Sequence, residues 1–339
     1  MRTYYSLYGQ LLNKQVLFEG FKHVKRAKGA AGIDGCSLSE FGVNLDRELD
    51  SLLLELQYKR YQPFPVRRVI IPKDGGGERT LGIPAVRDRI VQQALRNLLE
   101  PIFDVGFHPS SYGYRKGRSA QHAIGKAEVF IRRYQRQWVV DMDLSKCFDT
   151  LDHEIIIQQL KRKVTDGSVL HLIRLFLESG VMIGCEYEAS TRGSPQGGVI
   201  SPLIANIYLD QFDQMMKSRG HRIVRYADDI LILCCSESAA NNALGVATGY
   251  LEGELKLKVN VDKTHIAHSR DGVKYPKHSL RSRGRPFLGV EIHNGFTRIQ
   301  AKKVQSLKAK VKWITRRNTG SNVVEVIREL NPVLRGFVN

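Results

Sequence analysis

Arg225-Tyr226-Ala227-Asp228-Asp229 runs directly into Ile230-Leu231-Ile232-Leu233, and Ile223-Val224 comes just before it. The β-branched and apolar residues on either side read as two short strands. Two adjacent carboxylates are thereby left at the tip of a hairpin that rises from an apolar sheet. Aspartates are among the residues least easily buried without a partner. A divalent cation taking oxygen ligands, magnesium above all, resolves that electrostatic conflict. A solvated Asp-Asp turn is the plain alternative, and the doublet alone does not separate the two.

A second acidic strand lies upstream, in Trp138-Val139-Val140-Asp141-Met142-Asp143-Leu144. Period-two alternation places Val139, Asp141 and Asp143 on one face and Val140, Met142 and Leu144 on the other. Acids at successive same-face positions of an otherwise apolar strand point to a site, although alternation does not choose between Asp141 and Asp143. Asp152 then caps a helix running through Leu160, with His153 in its first turn. Between the two acidic strands stands Arg192-Gly193-Ser194-Pro195-Gln196-Gly197-Gly198-Val199-Ile200-Ser201-Pro202-Leu203. Its glycines let backbone approach a ligand closely, and Ser201-Pro202 opens an apolar helix.

The whole chain favours a polyanionic partner. Its 339 residues hold 52 Lys and Arg against 34 Asp and Glu, a net charge of +18, which points to nucleic acid before a membrane surface. No apolar run is long enough to span a bilayer, and no signal-peptide core is present, so no membrane partner is expected. The five cysteines show no CxxC pairing and read as buried thiols of a reducing cytoplasm, the expected location.

Cations and aromatics cluster in segments suited to phosphates and bases. Lys22 to Lys28 form a basic run that abuts the loop Gly29 to Gly35. Val66 to Lys73 and Glu78 to Pro84 read as strands around the turn Asp74-Gly75-Gly76-Gly77, a hairpin that carries Arg67, Arg68, Lys73 and Arg79. Helix follows through Leu99, interrupted at Glu100-Pro101. In Ser111-Tyr112-Gly113-Tyr114-Arg115-Lys116-Gly117-Arg118-Ser119 two tyrosines stand beside three cations, so Tyr112, Arg115 and Arg118 are candidates for primer and template contact. A hairpin is expected around Gly184. Near the end, Val304, Leu307, Val311 and Ile314 form the apolar stripe of a basic helix.

Taken in this order, these pieces resemble the reverse transcriptases, and the group II intron-encoded branch closely. The resemblance covers almost the whole chain, from Gly29 to Pro332. Its most specific parts are Tyr226-Ala227-Asp228-Asp229, Gln196 to Leu203, Ser111 to Arg115, and the Asp143 strand ending in Phe148-Asp149. It implies an α+β right-hand polymerase with mostly helical fingers carrying a β-hairpin and an antiparallel palm sheet backed by helices. Residues 1–110 would form the N-terminal extension and fingers, 111–290 the palm with some fingers elements, and 291–339 the start of a helical thumb.

The resemblance also assigns roles. Asp143, rather than Asp141, and Asp228 would bridge two Mg2+ ions, replaceable by Mn2+, with Asp229 as a supporting ligand. Two such ions about 3.5–4 Å apart activate a 3′-hydroxyl and neutralise the leaving oxygen. Lys73 and Arg79 match the cations that hold the incoming deoxynucleoside triphosphate. Phe148 falls where a bulky side chain sits under the sugar and rejects a 2′-hydroxyl. Gln196, Gly197 and Tyr226 lie beside the nascent pair, Lys263 is placed to protonate pyrophosphate, and Phe287-Leu288-Gly289 resembles the turn that grips the primer end.

The implied partners are an RNA template, a DNA or RNA primer and a structured intron RNA, with dimerisation left open. Leu330-Asn331-Pro332 resembles the beginning of the thumb and maturase region, and the sequence stops at Asn339, so the thumb is expected to be incomplete. The rival readings are a non-catalytic, maturase-like RNA-binding protein, a CRISPR-associated or diversity-generating reverse transcriptase, and an RNA-dependent RNA polymerase. The intact Gln196 loop opposes the diversity-generating version, and Phe148 opposes the last.

Overall fold

Amphipathic helices open the chain, each burying one stripe. In this computed structural model, which describes residues 3–72, 78–184, 186–194, 197–270, 285–288, 290–293, 295–316, 320 and 322–338, they are α1 (Tyr8–Leu11), α2 (Lys14–Ala27), α3 (Leu38–Val43) and α4 (Leu45–Gln57). Leu17, Phe21 and Val24 of α2 and Leu49, Leu52 and Leu56 of α4 point inward. Lys22, Lys25, Arg26 and Lys28 form an exposed basic face. The fingers hairpin is β1 (Val66–Pro72) and β2 (Glu78–Ile83), paired antiparallel from Arg67↔Ile83 to Pro72↔Glu78.

Two long helices follow, α5 (Val86–Asp104) and α6 (Ala120–Arg132). The interruption expected at Glu100-Pro101 is absent, because α5 continues through Pro101 to Asp104. Pro101 has no N–H to give to the Asn97 carbonyl, and buried Ile102 and Phe103 hold the last turn against the core despite that loss. The chain continues as β3 (Trp138–Met142), α7 (Cys147–Thr150), α8 (His153–Lys161), α9 (Gly167–Glu178), β4 (Val181–Ile183) and β5 (Glu186–Glu188). Next come α10 (Ser201–Ser218), β6 (Arg222–Tyr226), β7 (Asp229–Cys234), α11 (Glu237–Gly253) and β8 (His265–His268). The last elements are β9 (Arg285–Phe287), β10 (Val290–His293), β11 (Phe296–Ile299), α12 (Ala301–Ile314) and α13 (Val323–Val338).

The central sheet has the order β6-β7-β3-β8 and is antiparallel throughout. Alternation along its strands feeds two separate cores. Val140, Met142, Ile223, Ile230 and Ile232 join α8, α10 and α11 in a continuous core that extends back to Leu7. Val139, Val224, Leu231 and Leu233 face the other way, against Ala123, Ala127, Phe130 and Ile131 of α6. A buried Leu, Ile or Phe contributes about 1.5–3 kcal/mol, so a sheet covered on both sides makes a rigid support for whatever its tip carries.

The fingers hairpin is part of a larger sheet, ordered β2-β1-β4-β5, in which β1 runs parallel to β4. Gly184 turns the expected β4–β5 hairpin with φ +61°. Cys147 and Cys234 are buried as expected, whereas Cys36 is half-buried and Cys235 exposed. Among the described residues no helix is long and apolar enough to cross a membrane.

Asp88, 1% exposed in the first turn of α5, accepts from the Tyr61 hydroxyl at 2.6 Å and from the Phe64 backbone N–H at 3.0 Å. Burial pushes its carboxyl up from 3.8 to about 6. The folded state therefore holds this proton more tightly than the unfolded chain does. The resulting stabilisation is complete below about pH 4 and is lost as pH rises through about 6. Urea unfolding of wild type and Asp88→Asn from pH 4 to 8 checks this. Wild type is expected to lose roughly 1–3 kcal/mol relative to the variant over that range, and a gap that does not change with pH contradicts it.

Candidate active site

Strand register brings the acids together. The β6–β7 ladder closes at Tyr226↔Asp229, leaving Ala227 and Asp228 as the turn. Ala227 adopts φ +57°, the left-handed geometry that tight two-residue hairpin loops demand. On the other side of β7, Met142 pairs with Ile230, so Asp143 follows at the level of Asp229. Alternation puts Asp141, Asp143 and Asp229 on one face. Asp143, Asp228 and Asp229 line a single open cavity of about 930 Å³, together with Tyr114, Phe148, Tyr226, Lys263 and Leu288.

These carboxylates crowd one another. Burial pushes the Asp229 carboxyl up to about 7, and Asp228, Asp141 and Asp143 push in the same direction against Lys263. Asp143 Oδ2 accepts from Asn260 Nδ2 at 3.0 Å and from Lys263 Nζ at 3.1 Å. The Asn260 backbone N–H donates to the Asp143 carbonyl at 2.8 Å. Nothing in the sequence singles out Asn260, whose role appears only once its turn packs beside β3.

The donor set fits a divalent cation, because like charges held on a rigid sheet favour a bound counter-charge. Among the described residues no three His, Cys, Asp or Glu side chains gather closely enough to form a complete protein cage. Magnesium sites on nucleotide enzymes are commonly of that kind, with one or two carboxylates completed by water and substrate phosphates.

The Gly193 loop is tied to the segment that bears Phe148. Ser194 N–H donates to the Phe148 carbonyl and Gly193 N–H to the Leu151 carbonyl, both at 2.7 Å. His153, buried in the first turn of α8, joins the Gly193 carbonyl through Nε2 at 2.8 Å, a tether its place in the sequence does not reveal. Gly197 has φ +108°, and a Cβ there would lie 2.1 Å from the Gly82 carbonyl of β2, so only glycine fits.

Not every expected contact residue faces the cavity. Arg115 is a correction: its guanidinium is buried, donating to Asp104 Oδ1 at 2.6 Å and to the carbonyls of His108 and Ser111 at 3.0 and 2.9 Å. Held this way it braces the loop and is unavailable to a template. Tyr112 is likewise 6% exposed, within the core under α6. Arg118 stays exposed, stacked 5.4 Å over the Tyr112 ring. Lys73, Gln196 and Gly289 lie outside the described residues, as do the side chains of Arg79 and Phe287.

One residue of the quoted acidic stretch turns inward. Arg225 is fully buried against fully buried Asp213, with Nη2–Oδ2 at 2.7 Å and Nε–Oδ1 at 2.9 Å. Its remaining donors reach Asn206 Oδ1 at 3.0 Å, the Ala227 carbonyl at 2.9 Å and Ser111 Oγ at 2.9 Å. Asn206 Nδ2 donates in turn to the Gly113 carbonyl at 2.8 Å. The acid turn, the Ser111 loop and α10 are thus fastened by one guanidinium.

Residues 71–292 match the reverse transcriptase (RNA-dependent DNA polymerase) family, and residues 304–339 match the group II intron maturase-specific domain. Protein YkfC of Escherichia coli (strain K12) is 36% identical over 309 residues, covering 79% of this chain and 81% of YkfC. Group II intron-encoded protein LtrA of Lactococcus lactis subsp. cremoris is 33% identical over 214 residues, 62% of this chain but only 35% of LtrA. The fold is also similar to apo telomerase from Candida tropicalis, with a TM-score of 0.54 at 13% identity, over 81% of this chain and 57% of that one.

Asp213→Ala would leave the Arg225 charge buried and unpaired. A loss of about 3–5 kcal/mol is expected, read by urea unfolding, and a loss below about 1 kcal/mol would contradict the anchoring role.

Proposed function

We propose that this chain, which belongs to the reverse transcriptase (RNA-dependent DNA polymerase) family, extends a primer with deoxynucleotides on an RNA template, as a protein of the group II intron type. What supports this most is that Asp143 and Asp228, distant in sequence, line one cavity with Asp229, Lys263 and Phe148. In this reading Asp143 and Asp228 hold Mg2+, or Mn2+ in its place, with Asp229 in support. Bound metal supplies activation of the primer 3′-hydroxyl and charge neutralisation at the leaving oxygen.

The remaining tasks fall to side chains. Lys263, already 3.1 Å from Asp143 Oδ2, is the proton donor to departing pyrophosphate. Lys73 and Arg79 of the fingers hairpin hold the triphosphate, and Phe148 sits under the sugar. Gln196, Gly197 and Tyr226 border the nascent base pair. Arg118 contacts the template, and the Phe287-Leu288-Gly289 turn would grip the primer end; Leu288 lining the acidic cavity supports that role. Exposed Lys303, Lys308, Lys310 and Lys312 of α12 track the duplex backbone. In this reading fingers, palm and thumb divide near residues 110 and 290.

The match of residues 304–339 to the maturase-specific domain favours a second activity, binding of a structured intron RNA in the cytoplasm. The chain spans well under half of LtrA, so splicing assistance is part of the proposal.

Extension of a DNA primer on RNA tests the main reading. Asp143→Asn and Asp228→Asn are each expected to lower the rate at least a thousandfold, and Lys263→Ala about a hundredfold. Chelation of divalent metal should abolish synthesis, and binding of primer-template should weaken steeply with salt. DNA synthesis that survives Asp228→Asn contradicts the assignment, while RNA binding that survives it together with absent synthesis by wild type favours the maturase-only reading.

A further inference from the structure

Tyr114 has none of the roles assigned above, yet its ring lines the acidic cavity. It meets Phe148 edge to face, with centroids 6.1 Å apart and planes at 77°. Its backbone takes φ +60°, a left-handed conformation that bulky side chains rarely adopt. Both neighbours enforce it. Gly113 is pressed against the acid turn, where a Cβ would lie 2.3 Å from the Ala227 nitrogen. Arg115 is locked onto Asp104 and the carbonyls of His108 and Ser111. Backbone strain maintained by anchored surroundings is a feature of places where a side chain's position matters.

Phe148 needs such a neighbour. It projects from α7, a helix of four residues, and is only half-buried, with one side packed on the main core and the other open to the cavity. Without a wall on the cavity side, the ring has other staggered rotamers to occupy.

We propose that Tyr114 is a positioning residue for sugar selection, its edge-to-face contact holding Phe148 where it excludes a ribose 2′-hydroxyl. The proposal rests on the reading of the chain as a DNA polymerase, and it makes the aromatic pair, rather than Phe148 alone, the selective element. Tyr114 is 45% exposed, so replacing it leaves the core intact.

Single-nucleotide extension on an RNA template gives kcat/KM for a deoxynucleotide and for the matching ribonucleotide. Phe148→Ala is expected to lower the preference for deoxynucleotide at least a hundredfold. Tyr114→Ala should lower it at least tenfold, chiefly through a lower KM for the ribonucleotide, and Tyr114→Leu should do so to a smaller extent. Tyr114→Phe, which keeps the ring, should stay within threefold of wild type. The double variant should match Phe148→Ala, as required of a residue that acts through another. A merely structural loss would slow both sugars together and leave the ratio unmoved. That result, or a double variant equal to the product of the singles, overturns the role of Tyr114 while DNA synthesis stands. A wild type that extends no primer overturns the underlying reading as well.

Discussion

The buried pairing of Arg225 with Asp213 is the constraint on which the site depends. A guanidinium removed from water costs several kcal/mol unless its donors are satisfied, and here the donors reach three separate parts of the fold. Asp213 and Asn206 belong to α10, Ser111 to the loop before α6, and the Ala227 carbonyl to the acid turn itself. The energetic need to satisfy one charge thus fixes where the tip of the β6–β7 hairpin stands relative to the loop that carries Tyr114.

That fixed tip sits where three strands converge. β3 pairs with β7, β7 with β6, and the Asn260 turn packs on the Asp143 end of β3. Carboxylates delivered this way cannot relax apart, which is why burial and neighbouring charge raise Asp229 to about 7. Lys263 and Asn260 relieve part of that repulsion at Asp143. A cation is the natural complement to the rest.

Much of this was legible in the sequence, for definite reasons. Period-two alternation exposed the acidic strand at Asp143, and the apolar run after Asp229 exposed the hairpin. Asp152 announced a helix start and does accept the N–H groups of that first turn. The resemblance to reverse transcriptases then chose Asp143 over Asp141, which alternation could not. Other features were hidden because they depend on contacts remote in the chain. His265-Ile266-Ala267-His268 shows no apolar alternation and becomes a strand by pairing with β3. The parallel contact of β1 with β4 joins two hairpins that look independent. Arg115 reads as a surface cation until Asp104 is found beside it, and His153 as a first-turn residue until the Gly193 loop closes over it.

The central claim is that Asp143 and Asp228 act on the same bound metal. Paramagnetic resonance titration of Mn2+ into the protein with primer, RNA template and a non-hydrolysable deoxynucleotide measures this directly. Tight binding by wild type, weakened by Asp143→Asn and by Asp228→Asn alike, is the predicted result. Mn2+ binding that either substitution leaves unchanged would contradict it.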